Sequence, residues 1–295
     1  MAETIEVTTV RDFDGGLNVV DNDLNLDSRY SVVLDNMYRG PDGAITVRPG
    51  TRLFSDIYTF IDVIVGIQYY NNYLICVGQN GNVVAVDGSG ASLLIFDETI
   101  AQSLAGSPHK WDTPVTFVSF AEFNGDLIIC NGANKPLIVE SSMLCSYLVD
   151  LATLSNLFVP ICRHVAVNKQ YLVMSGDPNA PSTIYISNKN TSGTWEGAPA
   201  PNDAVTIDLG SRVVRGSSAI RGHYTFRDRL VVFFDECILL ATLGIYNGAV
   251  HEPVFDDALE QYGTLTHNSI RAAGDDILFV DNVGVPSLTR ALYTG

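Results

Sequence analysis

The chain has 295 residues, 46% of them hydrophobic and 17% charged, with a formal net charge of −16. This composition excludes a disordered chain, and the acidic balance argues against a reader of nucleic-acid sequence, which needs a basic stripe. No apolar run reaches the roughly 18–20 residues of a membrane-spanning helix, and the N-terminus MAETIEVTTVRDF lacks the basic-then-apolar order of a secretory signal.

Residues 1–60 differ from the rest and are read as an N-terminal extension. Phe13-Asp14-Gly15-Gly16-Leu17-Asn18 is a tight turn whose two glycines accept positive φ. Asp27 or Ser28 as a cap, with Val33, Leu34 and Met37 at helical spacing, predicts a short helix over 27–37. Gly40-Pro41-Asp42-Gly43 is a turn, and the strand Ala44–Val47 after it is expected to complete the last blade of a closed ring, stopped by Arg48-Pro49-Gly50.

Residues 61–295 carry a unit that recurs five times, an apolar run that turns at a small polar dipeptide and returns as a second apolar run. Leu74, Leu127, Leu172, Leu230 and Ile277 are equivalent positions in the five copies. Repeats of roughly 40–50 residues built from short strands predict an all-β fold, a β-propeller of five to six blades. Asn124-Gly125 is a type I′ hairpin signal, and Asn71-Asn72, Asn168-Lys169, Arg227-Asp228 and Asp275-Asp276 occupy the same place. The runs LICVG, LIICNG, LVVFF and ILFVD are nearly continuous, as in strands covered on both faces. Between the repeats, 142–157 reads as a short helix or long loop, 188–204 as an exposed loop, and 94–113 and 245–263 as long connections.

Motifs for chemistry are missing. There is no P-loop, GxSxG, HExxH, EF-hand loop or GxGxxG. The five cysteines lack metal spacing, and Cys76, Cys130 and Cys237, inside apolar strand runs, read as buried thiols of a reducing cytosol. His109, His164, His223, His251 and His267 lie in five separate places. Asp256-Asp257, placed in a loop, and Asp275-Asp276, placed at a turn, read as structural acids that bond their own backbone. No catalytic, cofactor-binding or metal-ligating residue is assigned, and no cofactor is expected.

Ser187–Trp195 loosely resembles the Asp-box hairpin of sialidase-type propellers, with Asn188 or Asn190 where Asp stands in that box. The box is a turn device. Sialidase-type chemistry would also need an arginine cluster and a tyrosine nucleophile; Arg163, Arg212, Arg215, Arg221 and Arg271 are available, but no spacing selects a triad. A carbohydrate-binding propeller would use Trp111 and Trp195 as exposed anchors, but both read equally well as tryptophans packed between blades.

FDGGLN (13–18) followed by LDNMYRGPDGAITVRPGT (34–51) is similar to the opening of tail nozzle and head-completion proteins of short-tailed bacteriophages, with Gly43, Ile45, Arg48, Pro49 and Gly50 in that frame. LIICNGANKPLIV (127–139), STIYISNKNTSGTW (182–195), HYTFRDRLVVFF (223–234) and DDILFVDNVGVPSLTR (275–290) resemble later segments of the same family, in order. The resemblance implies a non-enzymatic virion protein of the tail, assembled in the host cytoplasm. It implies a homohexamer below the portal or adaptor ring, extending the DNA channel, retaining packaged DNA and passing it at ejection without sequence-specific contact. The alternative is a sialidase-like glycosidase or carbohydrate-binding propeller.

Overall fold

The computed structural model describes residues 53–103, 111–149, 158–196, 203–213, 215–247 and 250–294, and four short strands nearer the N-terminus. The chain divides into two compact units, Met1–Phe54 and Ser55–Gly295. In the first, β1 (Gly16–Leu17) pairs in parallel with β2 (Tyr30–Ser31), and β3 (Met37–Arg39) pairs antiparallel with β4 (Ile45–Val47). Tyr30, Ser31 and Met37 are therefore extended, not part of the helix expected over 27–37; the rest of 27–36 lies outside the described residues. The strand expected to close the ring takes Met37–Arg39 as its partner within this unit.

The second unit is a β-propeller. Its first blade is β5 (Ile64–Tyr70), β6 (Tyr73–Gly78), β7 (Val83–Val86) and β8 (Ser92–Phe96), an antiparallel meander followed by the short helix α1 (Glu98–Ser103). The second is β9 (Ser119–Phe123), β10 (Asp126–Cys130), β11 (Leu137–Val139) and β12 (Cys145–Tyr147). The third is β13 (His164–Asn168), β14 (Tyr171–Asp177), β15 (Ala180–Ile186) and β16 (Val205–Asp208). The fourth is β17 (Gly222–Phe226), β18 (Arg229–Phe233), β19 (Cys237–Thr242) and, after a small hairpin of β20 (Tyr246–Asn247) and β21 (Val250–His251), β22 (Val254–Glu260). A fifth hairpin of β23 (Arg271–Ala273) and β24 (Asp276–Leu278) ends in helix α2 (Leu288–Thr294). Among the described residues no helix is long and apolar enough to cross a membrane.

The five equivalent residues read from the repeats each occupy the second position of the second strand of a blade. Both faces of these strands are covered, because alternate side chains enter different cores. Leu127 and Ile129 pack towards the first blade, whereas Ile128 and Cys130 pack towards the third. Tyr171 and Val173 face the fourth blade, and Leu172 and Met174 face the second. Leu230 and Val232 then face the third blade, and Val231 and Phe233 the fifth hairpin.

The first strands stand side by side. The Ser119 hydroxyl donates to the Arg163 carbonyl at 2.7 Å, and the Thr225 hydroxyl to the Val167 carbonyl at 2.6 Å. At the opposite end from the strand starts, each hairpin turn reaches the next blade. The Tyr70 hydroxyl donates to Gly125 O at 2.6 Å, Asn124 Nδ2 to Asn190 O at 2.8 Å, Lys169 Nζ to Leu243 O at 2.9 Å and Arg227 Nη2 to Asp275 O at 3.1 Å. These links run in one direction through all five units.

Two turns sit one residue later or earlier than read. Asn168 is the last residue of β13, so the turn is Lys169-Gln170, with Lys169 at φ 54°. The fifth turn is Gly274-Asp275, and Asp276 belongs to β24. The fourth turn, Arg227-Asp228, holds two non-glycine residues at φ 47° and 65°. Asp228→Gly relieves that left-handed conformation and is expected to raise stability by about 0.5 kcal/mol, read as a higher urea midpoint.

Two expected connections contain fourth strands, 142–157 holding Cys145–Tyr147 and 245–263 holding Val254–Glu260, and a third, 188–204, ends just before the fourth strand Val205–Asp208. Among the described residues these outer strands pair with one neighbour only, so their sequences lack the apolar runs of inner strands.

Candidate functional site

The propeller topology puts the starts of the first strands and the turns between second and third strands at one end of the axis. There a cavity of about 510 Å³ opens, lined by Phe117 before β9, Asn131 and Gly132 after β10, Arg163 and His164 at β13, Gly176 and Asp177 at the end of β14, Arg221 before β17 and Thr266 and His267 before β23. The second, third and fourth blades and the fifth hairpin thus converge on one space.

Its floor is aromatic. The rings of His164 and His267 stack with centroids 4.6 Å apart, and Phe117 meets them edge-on at 5.7 and 6.1 Å. His223 stands beneath, 6.4 Å from His164. It is fully buried and satisfied: Nε2–H donates to the Val173 carbonyl at 3.1 Å, leaving Nδ1 to accept from the Ser175 hydroxyl at 2.8 Å. His164 is 4% exposed, and the Nδ1 atoms of His164 and His267 are buried without a hydrogen-bond partner.

All three imidazoles are held neutral at physiological pH. Burial lowers His223 to about 3, helped by the field of His267. Burial lowers His267 to about 4, with Arg271 and Arg163 adding to it. His164 is pushed well below its ordinary range by burial, then by His267, His223 and Arg163. The fixed cations are arginines. The Arg163 guanidinium lies 4.4 Å from the Phe117 ring centroid. Arg221 makes a two-pronged pair with Asp235, Nη2 donating to Oδ2 at 3.1 Å and Nε to Oδ1. Asp177 accepts from the Tyr185 hydroxyl and the Asn179 amide, both at 2.8 Å.

Gly176 makes this packing fit. It has φ +78°, and a Cβ there would lie 2.9 Å from His164 Cδ2 and 3.0 Å from Arg163 Cβ. A side chain at this turn would displace the two residues that shape the cavity.

The residues singled out in the sequence fare differently. His164, His223 and His267 are brought together, and Arg163 and Arg221 line the same cavity. His251 stacks instead on Tyr171 at 4.6 Å, and His109 lies outside the described residues. Arg212 lies over Phe255, and Arg215 borders a separate hollow. Asp256 and Asp257 belong to strand β22 and not to a loop. Asp276 accepts from the Ile277 and Thr289 amides at 2.7 and 2.9 Å, anchoring the start of α2. Trp111 and Trp195 are 0% and 2% exposed, so neither is a surface anchor. The Asp-box-like loop closes on itself through Asn188 N to Thr194 O at 2.8 Å and does not line the cavity. Among the described residues no group of three His, Cys, Asp or Glu is arranged to hold a metal. The histidine cluster was recoverable from the repeats: His164, His223 and His267 each lie at or just before a first strand, in three successive units.

The fold defines a β-propeller protein with a polar axial cavity. No family model and no curated protein matches the chain. Among solved structures it is similar to YCF48 bound to D1 peptide, at 14% identity and TM-score 0.43 over 76% of this chain and 62% of that one. It is similar to PorZ, an essential bacterial surface component of the type-IX secretion system of Porphyromonas gingivalis, at 12% identity and TM-score 0.36 over 78% of this chain and 33% of that one. A third similarity is to the N-terminal domain of Nup159, at 10% identity and TM-score 0.39 over 76% and 57% of the two chains. The chain spans less than two thirds of each of these three.

Proposed function

We propose that this chain is a non-enzymatic structural protein of a phage tail, a nozzle or head-to-tail component that forms a homohexameric ring below a portal or adaptor ring. In this role it extends the DNA channel, retains packaged DNA and passes it at ejection. The observation that carries the reading is the ordered series of segments from Phe13 to Arg290, beginning with FDGGLN and the Arg48-Pro49-Gly50 frame, which a generic propeller does not need. The net charge of −16 supports it, since an acidic conduit repels phosphate and gives DNA few places to stick.

The glycosidase alternative draws on Arg163 and Arg221 sharing one cavity. It is weakened because no tyrosine is among the described residues lining that cavity. Tyr185, whose phenol bonds the cavity residue Asp177, is raised by burial and by that bond, the reverse of an activated nucleophile.

Mass photometry with negative-stain imaging of the purified protein is expected to give a six-fold ring with a central channel, matching density in the tail of the assembled particle. A monomer that never joins a ring, and no association with virions, would remove the reading.

A further inference from the structure

The axial cavity has features that a channel wall does not require. Arg163 has no ion-pair partner among the described residues, in a chain with only 17 Lys and Arg. Its guanidinium is positioned by the Phe117 ring and by the close packing of Gly132 and Gly176 around its stem. Beneath it, His164 is 96% buried and makes no side-chain hydrogen bond among the described residues. Its Cδ2–Nε2 edge faces the Gly176 turn that lines the cavity, with Nε2 3.3 Å from where a Gly176 Cβ would stand. With Nδ1 buried without a partner, the favoured tautomer keeps hydrogen on Nε2 and buries only a lone pair. The site therefore offers a fixed cation at the rim and a neutral donor below it.

The one carboxylate among the described residues lining the space does not cancel this. Asp177 is occupied by Tyr185 and Asn179 and lies in the field of Lys135. Arg271, next to His267, adds a further positive charge. A volume of about 510 Å³ is within the roughly 300–1,000 Å³ typical of small-molecule sites and exceeds the need of a single inorganic ion.

We propose that the axial cavity binds a small oxyanion, the carboxylate of an organic acid or a phosphate group, gripped by Arg163 and receiving a hydrogen bond from His164. Arg supplies a planar fork for paired oxygens. A neutral imidazole donor completes the grip without the cost of burying another charge. This inference goes beyond the tail reading and does not rest on it.

The test uses the full chain with ¹³C-labelled histidine, titrated with malonate in one arm and inorganic phosphate in the other. The His164 and His267 ring resonances are expected to shift saturably while His251 does not. Calorimetry is expected to show at least about tenfold weaker binding in Arg163→Gln, partial recovery in Arg163→Lys and no change in Arg212→Gln. Malonate alone acting identifies a carboxylate site, and phosphate alone a phosphate site. No saturable shift with either probe, equal shifts at His251, or unchanged affinity in a folded Arg163→Gln would overturn the proposal. Were that variant unfolded, the wild-type resonances and Arg163→Lys would still decide.

Discussion

Acidification from pH 6.5 to about pH 4 is expected to remove about 3 kcal/mol of folding stability through His223 alone. Its folded value, about 3, lies below the 6.5 of a free imidazole, so between these values the unfolded chain binds a proton that the native protein refuses. Stability therefore rises with pH across this window, is complete above 6.5 and falls as pH descends towards 3. His267, at about 4, and His164 add in the same direction, although protonating one makes protonating its neighbours harder. Burial is the main cause in each case; Arg271 and Arg163 add to it at His267, and Arg163 adds to it at His164. The measurement is the urea midpoint as a function of pH for the wild type and for His223→Gln, whose amide can replace the bonds to Ser175 and Val173. The variant should lose about one proton's worth of slope; identical slopes would refute the assignment.

Gly263→Ala is expected to cost about 3 kcal/mol or more. A Cβ at this position would fall on the carbonyl of Asp235 and 2.5 Å from Phe234 O. Both obstacles are backbone, so no rotamer change makes room. The same segment is tied down by Thr264 N to Phe234 O at 2.9 Å and Gln261 N to Glu236 O at 3.0 Å, which prevents it from backing away. Gly88→Ala is the control: nothing lies within 4 Å of its Cβ, and its stability should change little. Chemical denaturation of the pair separates the clash from the general effect of adding a methyl group.

The second strands of the blades could be read directly because burial on both faces demands uninterrupted apolar residues, as in Leu127–Cys130 and Leu230–Phe233. The fourth strands could not. Val205–Asp208 alternates between intermediate and exposed, and Val254–Glu260 carries two adjacent aspartates, so both resemble loops until their backbone partners are seen. The turn at Asn168 was misplaced by one residue because asparagine favours turns, whereas this asparagine is buried at a strand end and bonds Thr225. The histidines looked unrelated because they are far apart in the chain and meet only through the packing of three successive units, a relation visible in the repeat alignment and in no local spacing. Tryptophan in a loop suggested a surface anchor, but Trp111 donates Nε1–H to the Lys135 carbonyl at 3.1 Å inside the core between the first two blades.

The five cysteines are all free and buried. Burial raises the thiols of Cys76, Cys130, Cys145, Cys162 and Cys237, so little reactive thiolate exists in the native protein. Their positions follow the blades: Cys76 in the first, Cys130 and Cys145 in the second, Cys162 just before the third and Cys237 in the fourth. An alkylating reagent would thus register each of the first four blades only when that blade opens. Timed labelling followed by peptide mapping would read the order in which the ring comes apart, using probes already built into the chain.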